Sequence, residues 1–356
     1  MRRRLAFPLL LVLGLAQGCR KDGTSAPPVV VVGGPATPPA LLSTSSPTKD
    51  EDPSVLRARD GSLYIAWFSD RGGRSDIYIS RSVDKATWSS PVRVPSNPFS
   101  NFYPNLLQDA SGTLHVVWFE WVSLRVGRIR HSTSVNGVVW TPEEAVTTEF
   151  LLDDWVPSIA ETSDGTLVVT FVSEKRSGAT AEIYVARKRP AATVWDAPVR
   201  LSVNSATEHD QLPFVARTGA ALTMVWVRHD TRDANFITNP KSELFTATST
   251  DGLAWSTPVQ VTLHTGNVAN LFPQLFQRHD GTWAILWLST RSGSPRQYEL
   301  PLARAAQFPM DLLENTFMPA GYSHRQTATA TAGEYLASWV QGAEGAQDVY
   351  YRFVKR

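Results

Sequence analysis

The chain of 356 residues is 42% hydrophobic and 19% charged, with 12 Trp, 24 Pro and 22 Gly. That composition supplies a large core, excludes a disordered polypeptide, and breaks up the long helices a bundle or coiled coil needs. Its 34 basic and 33 acidic residues nearly cancel, so there is no global positive field to hold a nucleic-acid backbone. The length is about twice that of an ordinary domain and calls for two domains or one repetitive one.

Arg2, Arg3 and Arg4 precede an apolar run from Leu5 to Leu15, long enough for a signal-peptide core and too short to cross a bilayer. The following Ala16-Gln17-Gly18-Cys19 resembles the lipobox of bacterial lipoproteins, with Gly18 and Cys19 matching and Ala16 and Gln17 departing from it. The resemblance implies cleavage after residue 18 and lipidation of Cys19, the only cysteine and therefore one without an intrachain disulfide partner. Residues 20–38 are rich in Pro, Gly and small side chains and read as a tether. Removing residues 1–18 takes three of the 34 basic residues and none of the 33 acidic ones, leaving a net charge of −2. The expected compartment is the cell envelope, as an outer-membrane lipoprotein, or the exterior.

From residue 39 to 356 the chain repeats with a period of roughly 53 residues. Trp67, Trp118, Phe171, Trp226, Trp287 and Trp339 form one column, and Pro53, Pro104, Pro157, Pro213 and Pro273 a second, with Arg325 in the sixth place. Trp88, Trp140, Trp195 and Trp255 form a third, with Phe308 as a weaker member. Within a repeat, alternation in Ser62–Phe68, the preceding Asp60-Gly61 turn, and short runs such as Asp76–Ser82 and Pro91–Val94 predict four antiparallel strands. Six four-stranded sheets make an all-β, six-bladed β-propeller, which limits exposed edges by closing into a ring. The last repeat stops after its third strand. Pro39–Ser43 matches the fourth-strand segments elsewhere, so the N-terminal segment is expected to complete the last blade.

The turns Ser82–Trp88, Ser134–Trp140 and Ser249–Trp255 place Asp84, Asn136 and Asp251 at one position. They resemble Asp-boxes, the bacterial neuraminidase repeats of sialidases and sialidase-like propellers. The boxes imply fold rather than chemistry: the Asx side chain caps a tight turn and the Trp packs between sheets. Sialidases resembled in this way use an arginine clamp on the sialate carboxylate. In the place of the clamp's first arginine this chain has Asp50-Glu51-Asp52-Pro53, so no sialidase catalytic residue carries over.

The same resemblance implies that ligands meet the face formed by the loops between second and third strands and by the connections entering each inner strand. Trp121, Trp155 and Tyr103 fall there, suited either to stacking on sugar rings or to capping sheet ends. Arg71, Lys175 and Arg291 each follow their blade's aromatic marker by four residues, where they attract an acidic ligand or pair with neighbouring carboxylates. His209 and Asp210 enter the fourth blade and His229 and Asp230 leave it, a set fit for acid-base or metal chemistry or for a salt-bridge network. There is no zincin motif, Ser-His-Asp signature, phosphate-cradling glycine loop or calcium loop, so no cofactor or metal is expected. These readings describe an exported, lipid-anchored propeller that binds carbohydrate without catalysis. A glycoside hydrolase of exo-sialidase type with a diverged site, or a scaffold for an envelope protein, are the alternatives.

Overall fold

The computed structural model describes residues 30–32, 40–43, 48–95, 97–123, 126–149, 152–174, 176, 180–202, 207–230, 241–264, 266–293, 295–305, 313–315, 327–331, 334–343 and 346–355. Cys19, Lys175, Phe308 and Arg325 lie outside the described residues. Each repeat forms an antiparallel sheet, and the six sheets make the blades of a propeller. Blade one runs Asp50–Arg57, Leu63–Ser69, Asp76–Ser82, Val92–Arg93, and the order inner to outer follows the chain. The inner strands of the others are Ser100–Gln108, Trp155–Glu161, Glu208–Arg217, Asn270–Gln277 and Thr327–Thr331.

The proline column acquires a physical meaning here. Directly before each proline, Asp52, Tyr103, Val156, Leu212 and Phe272 adopt φ of 53°, 54°, 49°, 54° and 49°. At each of these points the register to the second strand slips, as between Glu51 and Ser54 or Phe102 and Asn105. Proline closes the right-handed helical region to the residue before it, and the left-handed bulge turns the inner strand at the mouth of the channel. The residue after the proline then bonds to the next blade. Ser54 Oγ accepts the Leu106 N–H at 3.2 Å, Asn105 Oδ1 that of Ile159 at 3.0 Å, and Ser158 Oγ that of Val215 at 3.1 Å. Below the bulges the six inner strands line a central cavity of about 310 Å³.

The aromatic marker on each second strand is sealed between neighbouring blades: Trp67, Trp118, Phe171, Trp226 and Trp339 are 0% exposed. The turns on the opposite face are capped as their residues require. Asp84 accepts the N–H groups of Ala86 and Thr87 at 2.9 and 2.8 Å, Asn136 those of Val138 and Val139, and Asp251 those of Leu253 and Ala254. Hydrogen bonds from Thr87 and Ala86 hold the Asp84 carboxyl at about 2. Trp88, Trp140 and Trp255, which close these turns, pack against the preceding blade.

Ring closure is made by the N-terminal segment. Ala40–Leu41 pairs antiparallel with Tyr351 and Tyr350, and Leu42 N–H donates to the Val349 carbonyl at 2.9 Å. Upstream, Val30–Val32 runs parallel to Leu313–Asn315 as a fifth strand on blade five, so part of the segment expected to be tether is paired to a sheet.

Candidate functional site at the channel mouth

The mouth is built on a column the sequence reading did not isolate. Three residues before each proline stand Asp50, Asn101, Asp154, Asp210 and Asn270, all 0% exposed. The signal was present as a recurring Asp or Asn at fixed distance from the prolines. These short polar groups receive the indole N–H of the second-strand marker: Trp67 to Asp50 at 3.1 Å, Trp118 to Asn101 at 2.7 Å, Trp287 to Asn270 at 3.1 Å. A buried indole N–H needs such an acceptor.

Where the column is a carboxylate, it also takes an arginine. Arg71 reaches Asp50 at 3.1 Å. Arg176 holds Asp154 through Nε at 2.8 Å and a terminal nitrogen at 2.7 Å, and Arg228 holds Asp210 at 2.7 and 2.8 Å. Burial pushes the Asp154 carboxyl up, against the pull of Arg176. The Arg71 guanidinium also lies 4.8 Å from the Tyr78 ring, so it is a wall of the mouth and its charge is matched from within.

Tyr103 and Trp121 come together in one cluster on blade two. The Phe102 ring lies 6.4 Å from Tyr103, 6.2 Å from Trp121 and 6.1 Å from Phe119, and Tyr103 is 6.3 Å from Phe119. Phe102, Tyr103 and Trp121 are half-buried, leaving part of each ring at the surface. The Trp121 indole N–H donates to the Ser123 carbonyl. Tyr103 owes its position to the positive φ at the bulge. Phe102 and Phe119 were absent from the sequence-based set because they read as ordinary strand residues. Trp155, also half-buried, begins the inner strand of blade three and joins none of these ring pairs.

His209 and His229 stack, with centroids 5.1 Å apart and planes 6° from parallel. The Ala181 N–H donates to His209 Nδ1 at 2.8 Å, which places the remaining ring proton of neutral His209 on Nε2. Burial pushes His209 down, and burial together with the neighbouring His209 charge pushes His229 down to about 4. Asp210 faces Arg228, and Glu208 pairs in register with Asp230. Among the described residues no group of three His, Cys, Asp or Glu side chains is placed to hold a metal. Arg291 stands 5.4 Å over Tyr298 on blade five.

No family model and no curated protein matches the chain. Solved structures do. A Dyadobacter fermentans protein of unknown function aligns with TM-score 0.70 and 14% identity, over 91% of this chain and 100% of that one. An α-L-arabinofuranosidase of Fusarium graminearum aligns with TM-score 0.65 and 14% identity, over 86% and 93%. A Hadza microbial sialidase aligns with TM-score 0.59 and 14% identity, over 85% and 65%. The chain is thus a six-bladed β-propeller of the architecture that arabinofuranosidases and sialidases share. At these identities the likeness is one of fold.

Proposed function

We propose that this chain binds carbohydrate at the channel mouth and leaves it uncleaved, with Tyr103 and Trp121 as the stacking platform. The observation that carries this reading is the cluster of Phe102, Tyr103, Phe119 and Trp121, in which half-buried rings are held by one another. Rigid aromatic faces beside polar groups suit the apolar faces of sugars and lose little conformational freedom on binding. The absence of cleavage is supported by the state of the buried column acids. Glycosidases need two carboxyl groups on either side of the scissile bond, one of them able to give a proton. Here Asp50, Asp154 and Asp210 are each taken up in an ion pair with an arginine, which leaves none of the three free to act as the second carboxylate, although burial still pushes the Asp154 carboxyl up. Export and a lipid anchor at Cys19 belong to the same proposal and rest on the N-terminal residues alone.

The test is a glycan array probed with the purified protein, each spot read by mass spectrometry for retention and for loss of a terminal sugar. Retention without sugar loss, abolished by Trp121→Ala, is the expected result. Loss of a sugar would make the protein a hydrolase. No retention on any glycan would leave the envelope-protein scaffold.

A further inference from the structure

Four blades place an arginine over the aromatic ring of their third strand: Arg71 4.8 Å from Tyr78, Arg176 5.6 Å from Tyr184, Arg228 4.6 Å from Phe245, and Arg291 5.4 Å from Tyr298. In blades one, three and four the guanidinium also meets the carboxylate of the buried column. Blade five departs from this rule. Its column residue is Asn270, whose Oδ1 receives the Trp287 indole N–H and whose amide donates to the Ser242 carbonyl at 2.6 Å. The column is satisfied and neutral, and Arg291 forms no ion pair among the described residues. Its backbone N–H bonds Ser289 Oγ at 3.4 Å.

A second cation stands at the same junction. Ser242 Oγ donates to the Asn270 carbonyl at 3.0 Å, and Asn270 pairs in register with Ser289, two residues before Arg291. The residue preceding Ser242 is Lys241, which is exposed and likewise without an ion pair among the described residues. Among the described residues, the edge of the mouth between blades four and five therefore carries two basic side chains, Arg291 and Lys241, that enter no ion pair. Arg291 is half-buried and held against a ring, so its guanidinium is oriented and has little to lose by receiving a partner.

We propose that Arg291, at the blade junction where Lys241 also stands, receives an oxyanion carried by the saccharide, a carboxylate or a sulfate ester. This inference rests on the carbohydrate reading and narrows it to acidic glycans. Blades two and five lie opposite each other in a ring of six. A ligand that stacks on the Tyr103 and Trp121 cluster and also reaches Arg291 is an oligosaccharide that crosses the mouth. Planar guanidinium is matched to either oxyanion by paired N–H donors.

The experiment follows the arginine Nε–Hε resonances of the full chain by NMR during titration with sodium glucuronate, glucose 6-sulfate, inorganic sulfate and glucose at constant ionic strength. Arg291 is assigned by loss of its signal in Arg291→Gln. The expected result is a saturable shift of Arg291 with glucuronate or with glucose 6-sulfate, none with glucose, and none at Arg71 or Arg228. Arg291→Gln weakens the binding about tenfold or more, as loss of a charge-assisted contact does. A response to only one of the two sugar acids identifies the oxyanion. An unmoved Arg291, or one that shifts together with Arg71 as salt is added, overturns the proposal. If inorganic sulfate binds as tightly as glucose 6-sulfate and Trp121→Ala changes no glycan's retention, the anion site stands and it is the carbohydrate reading that fails.

Discussion

Replacing Asp210 by Asn tests the account of the buried column more sharply than any other single change. Asp210 is 0% exposed, and the two contacts from Arg228, at 2.7 and 2.8 Å, are bidentate. Breaking a buried pair on one side costs about 3 to 5 kcal/mol because the remaining charge is stranded. The Arg228 side chain is 17% exposed and lies over Phe245, which places the cost near the lower figure, about 3 kcal/mol. Something is returned. The Trp226 indole N–H is buried without an acceptor among the described residues, because Arg228 engages both Asp210 oxygens; once that pairing is gone the single oxygen of the amide is free to receive it, as in Asn101 and Asn270 for their own tryptophans, worth about 1 kcal/mol. The single variant should therefore lose about 2 kcal/mol, or roughly 3 °C of Tm at this chain size. Adding Arg228→Ser removes the stranded cation and reproduces the arrangement of blade five, where Asn270, Trp287 and Ser289 occupy the three positions. The double variant should unfold within about 1 kcal/mol of the parent, the remaining loss being the contact with Phe245. Thermal unfolding followed by tryptophan fluorescence measures both. A double variant that melts at or below the single one refutes the reasoning, since the two losses would then be additive and the column would not be the unit of design.

Acid should weaken the fold in a defined window. His115 is 4% exposed, and burial together with the His131 charge pushes it down to about 4. The unfolded chain, with an ordinary value near 6.5, binds the proton first, so stability is full above about 6.5 and falls by about 3 kcal/mol as pH drops to about 4. Urea unfolding of the parent across this range should show the slope, and His115→Gln should reduce it by the His115 share, leaving that of His229, which is also pushed down to about 4; an equal slope in both would rule out His115 as a source. Deleting residues 39–45 should lower Tm by at least about 5 °C. The deletion removes the strand pairing with Tyr350 and Tyr351, the Ser43 contact with Asp348 at 3.0 Å, and Leu42 from the cluster it shares with Trp67 and Phe353, and burial of one such leucine alone is worth about 2 kcal/mol. An unchanged melting temperature would show that the ring closes without this segment.

The repeat was legible because its marks are large and obligatory. A tryptophan that fills the space between blades and a proline that forces a bulge recur wherever the geometry recurs, so Trp67, Trp118 and Pro104 reveal the period. The closing strand was legible for the same reason, since Pro39–Ser43 matches the other fourth strands. The column of Asp50, Asn101, Asp154, Asp210 and Asn270 escaped because short polar residues are common near strand ends and their shared task, to receive an indole N–H or a guanidinium, is set by partners 17 to 22 residues away. The arginines read alike for a related reason. Arg71 and Arg291 occupy equivalent places, and only the identity of the column residue beneath each decides whether its charge is matched inside the protein.

That last difference sets blade five apart from the packing rule the other blades follow. Six blades repeat one solution to packing, and at each position selection for stability pulls toward the same small set of residues. The Asn–Trp pair and the Asp–Arg pair are two such answers, and blade four carries the second at the cost of an unpaired Trp226 indole. A departure that neither pattern accounts for is where the proposed ligand contact is placed. Arg291 keeps its ring contact and has no column carboxylate, although an aspartate at position 270, as at 50, 154 and 210, would supply one while still receiving the Trp287 indole N–H. Phe102 and Trp121 enlarge an aromatic cluster at the mouth that the equivalent positions of blade one, Glu51 and Asp70, do without; Phe102 also serves packing, its ring lying 5.0 Å from that of Phe68 on blade one, so the departure proper is Trp121. The two departures face each other across the channel, on blades two and five, which is the arrangement expected if both were shaped by one elongated ligand.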